Sequence, residues 1–246
     1  MKPTEWTKPD FGVDAPAVLR NLLVIGAALL VLGFVLPHRV RIGPVDFGLR
    51  PTLVGTGTLL FVEGLLMLLY VKVGKFRHRD FMLGMHEWRG DEAVLDVGCG
   101  RGLLLVGAAK RLTRGGRATG IDLWSNVDMG GNSATATRRN LELEGVAERC
   151  ELVSGAAQEM TFADASFDVV VSNLCLHNIY EKAPRAAAVA QIVRVLKPGG
   201  VALISDYKLT AEYGAAMAAA GLMVEMRRGS FATTFPPLRV VVARKP

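Results

Sequence analysis

Three glycines spaced two apart follow an apolar run that ends in an acid: VLDVGCGRG, Val94 to Gly102. Gly98, Gly100 and Gly102 bare the backbone between an apolar run and the next one, so the chain can turn tightly and a ligand can approach it closely. The dinucleotide fingerprint is G-x-G-x-x-G, with a pyrophosphate on the helix N-terminus. Here the spacing is G-x-G-x-G, position 103 is Leu, and no Walker lysine follows. Asp96 precedes the glycines, in a position to face a cation. GIDLW then brings Asp122 to the end of the next strand, 26 residues beyond Asp96 (122 less 96). A carboxylate there can accept both hydroxyls of a ribose. The pattern suits a nucleoside with a cationic, phosphate-free tail. His177, in SNLCLHNI, adds a group able to take a proton from a phenol, an enol or an amine. Its bland alternative is a histidine that packs against the ligand or caps a loop. Asn178 and Tyr180 are weaker candidates for touching a second substrate.

Other chemistries find no footing. Cys99, Cys150 and Cys175 form no C-x-x-C, and the four histidines form no H-E-x-x-H, so neither a disulfide framework nor a metal site is expected. Cys175 follows Leu174 rather than proline and reads as a buried, inert thiol. Cys99 fills the variable place of the glycine loop. The loop WSNVDMGGNS, with Trp124, Asp128 and a Gly130-Gly131 hinge, reads either as a lid over the second substrate or as an ordinary surface loop.

The elements that must position these residues alternate. Strands are expected at 93–97, 118–123, 150–153, 167–172 and 201–205, with helices at 103–112, 133–144, 183–196 and 211–220. Runs at 223–226 and 238–243 read as a closing strand pair. Repeated β–α alternation with near-continuous apolar strands means an α/β fold, a mostly parallel Rossmann-like sheet covered on both faces, with an antiparallel last strand. Ligands on such sheets bind beyond the carboxyl ends of the strands.

The first 75 residues differ. Half of the 246-residue chain is hydrophobic, mean hydropathy is +0.30, and most of the excess lies here. Two apolar runs, about 15–36 and 52–73, are each long enough to span a bilayer, which takes about 20 residues. The short HRVRIGPVDFGLRP between them makes a hairpin. Roughly seven Lys and Arg flank the terminal side against three in the loop, which sets both termini in the cytoplasm. Two buried helices of a soluble domain are the bland alternative. Glu63 interrupts the second run. The domain reading is therefore a membrane hairpin over 1–75, a linker helix over 76–90 and a catalytic domain over 91–246. The net charge of +6 does not point to nucleic acid, because no aromatic-interleaved basic patch accompanies it. Lys72, Lys75, Arg77 and Arg79 read as a topology signal and a contact with lipid headgroups.

VLDVGCGRG, GIDLW, FADASFDVVVSNLCLHNI and IVRVLKPGGVALISD resemble the successive motifs of class I S-adenosylmethionine-dependent methyltransferases, nearest the ubiquinone and menaquinone biosynthesis type. The resemblance covers roughly 88–245. It implies S-adenosylmethionine as cofactor, with Asp96 facing its methionine moiety, Gly98, Cys99, Gly100 and Gly102 passing beneath it, Asp122 on the ribose and Leu123 on the adenine. Where the family usually has Gly-Asp after the third strand, this chain has Gly155-Ala156. Gln158, a backbone group or water is left for the adenine amine, and Asn173 completes the cofactor set. The expected function is methyl transfer to a small lipophilic acceptor at the cytoplasmic membrane face; the alternative is a non-catalytic S-adenosylmethionine-binding scaffold, motivated by Ala156. A nicotinamide oxidoreductase lacks its Y-x-x-x-K. Membrane lipid is an expected partner, and self-association through the helices is left open. None of the proposed cofactor contacts lies in 1–75, so deleting that part is expected to leave cofactor binding almost intact.

Overall fold

The computed structural model describes residues 7–125, 130–230 and 234–246. Two long helices open it. α1 (Pro16–Val35) starts at a proline, whose fixed φ suits a first turn, and α2 (Leu49–Leu69) runs back along it. Both are long and apolar enough to cross a membrane. They approach closely because glycines face each other: a Cβ on Gly26 would sit 2.6 Å from the Phe61 amide nitrogen, and one on Gly57 2.9 Å from that of Leu30. The loop between them holds a small hairpin that the sequence reading did not contain, β1 (Val40–Ile42) antiparallel to β2 (Val45–Phe47).

α2 does not stop at the expected end of the hairpin. A π-helical turn over Tyr70–Gly74 carries it into α3 (Lys75–Leu83). The linker helix expected over 76–90 is instead this short helix followed by irregular chain from Gly84, and it belongs to the core. Met82 and Leu83 are fully buried among the residues that cover one face of the sheet. α4 (Leu103–Ala109) packs on it so closely that a Cβ on Gly107 would lie 2.7 Å from Arg79 and from Leu83 side-chain atoms.

The sheet has seven strands: β3 (Ala93–Val97), β4 (Arg117–Asp122), β5 (Cys150–Ser154), β6 (Phe167–Asn173), β7 (Leu196–Asp206), β8 (Met223–Arg228) and β9 (Arg239–Arg244). Their order is β5-β4-β3-β6-β7-β9-β8, parallel from β5 to β7 and antiparallel at β9. The expected fold class and the closing strand pair are what the sheet contains. Alternate residues serve opposite faces, as the period of two requires. Val94, Val169, Val201 and Val240 pack under α3 and α4. Leu95, Val170, Ala202 and Val241 pack under α6 (Lys182–Val195) and α7 (Thr210–Ala219). α5 (Ala134–Leu143) is capped by Ser133, whose side chain accepts from the Ala136 amide at 3.1 Å.

Replacing Leu83 tests whether α3 is core or connector. Leu83→Ala removes a side chain with no exposed surface and should cost about 2–5 kcal/mol, read from thermal or denaturant unfolding of the full chain in detergent. A connector would lose almost nothing.

Candidate active site

The switch in strand order falls between β3 and β6, and the glycine loop leaves β3 there. Gly98 takes φ +69, and a Cβ on it would collide with the Cys175 thiol, so the loop closes only around a residue without a side chain. Asp96, the next-to-last residue of β3, is 1% exposed. Its Oδ2 has no hydrogen-bond partner. Burial pushes its carboxyl up to about 8; the Leu105 amide pulls down and Asp122 adds a smaller upward push. Between about pH 4 and 8 the native carboxyl keeps a proton that the unfolded one has lost, so this group weakens the fold as pH rises through that window.

Asp122 ends β4 and ties the glycine loop. Its Oδ2 accepts from the Gly100 amide at 2.8 Å; its Oδ1 accepts from the Trp124 amide at 2.6 Å and from Asn132 Nδ2 at 3.1 Å. A carboxylate offers about four lone-pair sites, so room remains for a hydroxyl. Leu123, next in the chain, is 67% exposed and presents an open apolar face. Gln158 sits half-buried in the turn after β5. Asn173 ends β6 and joins Asp96, Gly98 and Cys99 around one pocket.

That pocket has a roof the sequence did not announce. Phe11, Asp14, Tyr70, Lys75 and Arg101 also line it. Lys75 Nζ donates to the Phe11 carbonyl at 3.0 Å and the Gly12 carbonyl at 2.6 Å, and lies 3.8 Å from Asp14. Burial raises the Asp14 carboxyl against the pull of Lys75. The far end of this strap is pinned at Asp10, whose amide donates to Asn140 Oδ1 at 2.9 Å and whose carboxylate meets Arg101 at 3.1 Å. The space left beneath it is small, about 40 Å³. Two expectations are corrected. Lys75 is a buried latch rather than a headgroup contact, whereas Lys72 and Arg77 are exposed. The first 75 residues do contribute to the pocket.

The second group of candidates lies across β6 and β7. His177 follows β6, and its Nδ1 stands 2.8 Å from Asp206 Oδ1 at the end of β7. Asp206 is fully buried and also accepts from the amides of His177 and Tyr207. The carboxylate fixes the ring's orientation and leaves Nε2 for a substrate. Tyr207 packs edge-on against the imidazole, ring centroids 4.8 Å apart. Sequence reading found His177 but missed Asp206, 29 residues away (206 less 177). A second histidine, His78 on α3, is buried and bonds Ser205 Oγ at 2.7 Å. Asn178 is half-buried beside His177, but Tyr180 stands 80% exposed. Trp124 is not on this side: its indole donates to Ser154 on β5 at 2.8 Å, at the opposite edge of the sheet. Asp128 lies outside the described residues. Burial pushes the Cys175 thiol up to about 12, which agrees with an inert cysteine. Among the described residues no cluster of potential metal ligands occurs.

Residues 95–204 match the family model of a methyltransferase domain. A demethylmenaquinone methyltransferase of Staphylococcus aureus is 35% identical over 108 residues, 44% of this chain and 40% of the relative. The matched stretches span about half or less of the curated relatives' own length, 54% and 40%. A Burkholderia thailandensis 1,6-didemethyltoxoflavin N1-methyltransferase, solved with its substrate and S-adenosylhomocysteine, shares the fold at TM-score 0.53 and 23% identity, over 69% of this chain and 77% of that one. The [4+2]-cyclase SpnF shares it at TM-score 0.58 and 16% identity, over 97% of both chains. Over residues 95–204 the chain is thus similar to methyltransferase domains, whose methyl donor is S-adenosylmethionine. The residues fit that cofactor. The unpartnered oxygen of Asp96 suits a cationic methionine end, the spare lone pair of Asp122 a ribose hydroxyl, and the exposed Leu123 an adenine.

Two outcomes follow. Cofactor affinity should rise with pH up to about 8 and then level off, because the cation needs the ionised Asp96, and binding at pH 7 should release about one proton. Calorimetry in buffers of different ionisation enthalpy measures this, and Asp96→Asn should bind more weakly without the pH dependence. Lys75→Met should quicken release of bound cofactor about tenfold, since hydrogen bonds from a charged group contribute about 1.5–3 kcal/mol. Stopped-flow dissociation reads it; an unchanged rate would mean the strap is no part of the site.

Proposed function

We propose that the chain is a methyltransferase held at a membrane by its N-terminal hairpin, acting on a small lipophilic acceptor at the cytoplasmic face. The observation that carries this is the join between α2 and the site. Tyr70, directly after α2, and Lys75, in its continuation, line the pocket that contains Asp96. A site built onto the end of an apolar helix is well placed to receive an acceptor dissolved beside that helix.

Exposure supports the membrane reading. In each long helix only 17% of the most apolar window is buried, whereas a core helix of a soluble protein would be mostly covered. Phe34 and Val35 are each 74% exposed and Leu59 58%. Apolar surface of that extent needs an apolar medium or partner. The charge bias favours cytoplasmic termini, and the likeness to a demethylmenaquinone methyltransferase favours a quinone-type acceptor. Lipid is the natural partner of α1 and α2. Gly55 has open space around it on α2, where a second copy's helix would fit.

Bound S-adenosylmethionine supplies an electrophilic methyl group on an already activated sulfonium. This chain's residues hold, orient and desolvate. Asp96 meets the positive charge at the base of the pocket. The strap and Tyr70 exclude water above it. His177 takes the proton that a phenol or enol acceptor loses, with Asp206 stabilising the imidazolium that forms.

The full chain in nanodiscs, given methyl-labelled cofactor and host membrane extract, should label the lipid fraction. His177→Gln and Asp206→Asn should each lower turnover about 10²–10⁴-fold with little change in cofactor affinity. Label in protein or RNA would replace the acceptor class. Tight cofactor binding with no label anywhere would leave a non-catalytic binder.

A further inference from the structure

A cavity of about 480 Å³ opens beside His177, over the carboxyl end of β7 and the adjoining ends of β9 and β8. Its walls are Tyr207 to Ala211, Arg228 and Gly229, and Pro236 to Arg239. Tyr207 has one side on this cavity and the other against the imidazole, so the space adjoins the His177–Asp206 pair.

The lining is cationic. Arg228 of β8 stands directly opposite Arg239 of β9 in the strand register. Like charges so placed oppose pairing, and among the described residues no carboxylate bonds to either. Other arginines of the domain are matched: Arg227 with Glu225 at 2.8 Å, Arg185 with Glu212 at 2.9 Å, Arg194 with Asp164 at 2.6 Å. Lys208 adds a third charge, its ammonium 5.2 Å from the centre of the Tyr207 ring. The one acid in the same cross-strand row is Asp206, opposite Arg239, and its oxygens are engaged by His177 and two amides. Two guanidiniums side by side form a fork for an oxyanion. Pro236, Pro237 and Leu238 leave an apolar wall for the rest of the molecule.

We propose that this cavity seats an acidic group of the methyl acceptor, a phosphate or a carboxylate, between Arg228, Arg239 and Lys208; the assignment rests on the reading that an acceptor is methylated beside His177. An anion there relieves the repulsion between the two arginines and fixes the acceptor against the imidazole. Acceptor selection and cofactor binding then lie on opposite halves of the sheet.

The test uses the full chain in phosphatidylcholine nanodiscs and three probes of similar size: phenyl phosphate, benzoate and benzyl alcohol. At least one acid should bind ten or more times as tightly as the alcohol by calorimetry. Arg228→Gln combined with Arg239→Gln should remove that advantage, while Arg227→Gln, which lies outside the cavity, should keep it. S-adenosylmethionine affinity, measured alongside, should be the same in all forms. Wild-type chain that fails to bind S-adenosylmethionine would sink the methyltransferase reading instead. Normal cofactor binding with equal affinity for acid and alcohol, or an equal loss in Arg227→Gln, would overturn the anion seat. In nanodiscs containing phosphatidylglycerol, weaker probe binding by wild type but not by the double variant assigns the acid to a bilayer lipid. Unchanged binding assigns it to a free small acid, and either result upholds the seat.

Discussion

A carboxylate buried at the end of β3 with one oxygen left without a partner governs the rest of this molecule. Burying an ionised group without compensation is costly enough that it takes up a proton instead. Burial pushes the Asp96 carboxyl up to about 8, so near neutral pH its charged form is favoured by a cation placed beside it. Everything nearby maintains that condition. The glycine loop keeps side chains from filling the space, Cys175 closes it from one side, and the strap at 10–14 keeps water from entering above. Relaxing any of these would let Asp96 be solvated, and the preference for a cation would fade.

The sheet separates two tasks. In the proposed reading Asp96 and Asp122, on β3 and β4, serve the cofactor, and His177 after β6 and Asp206 at the end of β7 serve the acceptor. The strand order sets them side by side across the switch point, where parallel strands diverge and leave a crevice. The strap is latched by Lys75 and pinned at Asp10 rather than woven into the sheet.

The domain was legible in the sequence because its information is local. Apolar runs of strand length, glycine stops and a strand–loop–helix motif each lie within a dozen residues, and the boundaries of β3, β6 and α5 follow from them closely. Of the residues read from those motifs, Asp96, Gly98, Cys99 and Asn173 share one pocket, Asp122 is tied to the glycine loop through Gly100, and Leu123 and Gln158 are not among that pocket's lining. What was missed is non-local. Asp206 looks like the ordinary end of a strand until β7 is laid beside β6. FGVDAP, residues 11–16, carries no pattern of its own, and its contacts with Lys75 and Asn140 appear only when α2 has turned the chain back. The burial of α3 was not legible for the same reason. KFRHRDFML has little amphipathic rhythm, and Met82 and Leu83 enter the core on a helix that continues from a π-helical turn.

The hairpin is joined to the domain twice, once through the strap before α1 and once through the turn after α2. Both joins are walls of one pocket, and Phe11 of the strap meets Phe76 of the second join edge-on. An anchor that is only a tether can be exchanged for another during evolution, or in a laboratory fusion, without touching the chemistry. Here residues on both sides of the helix pair line the pocket, so an exchange would disturb the surroundings of Asp96. Substitutions at Phe11, Tyr70 and Lys75 therefore have to drift in step with those in the glycine loop, and in a set of related chains the apolar helices and the catalytic domain should share one lineage rather than be shuffled as separate modules.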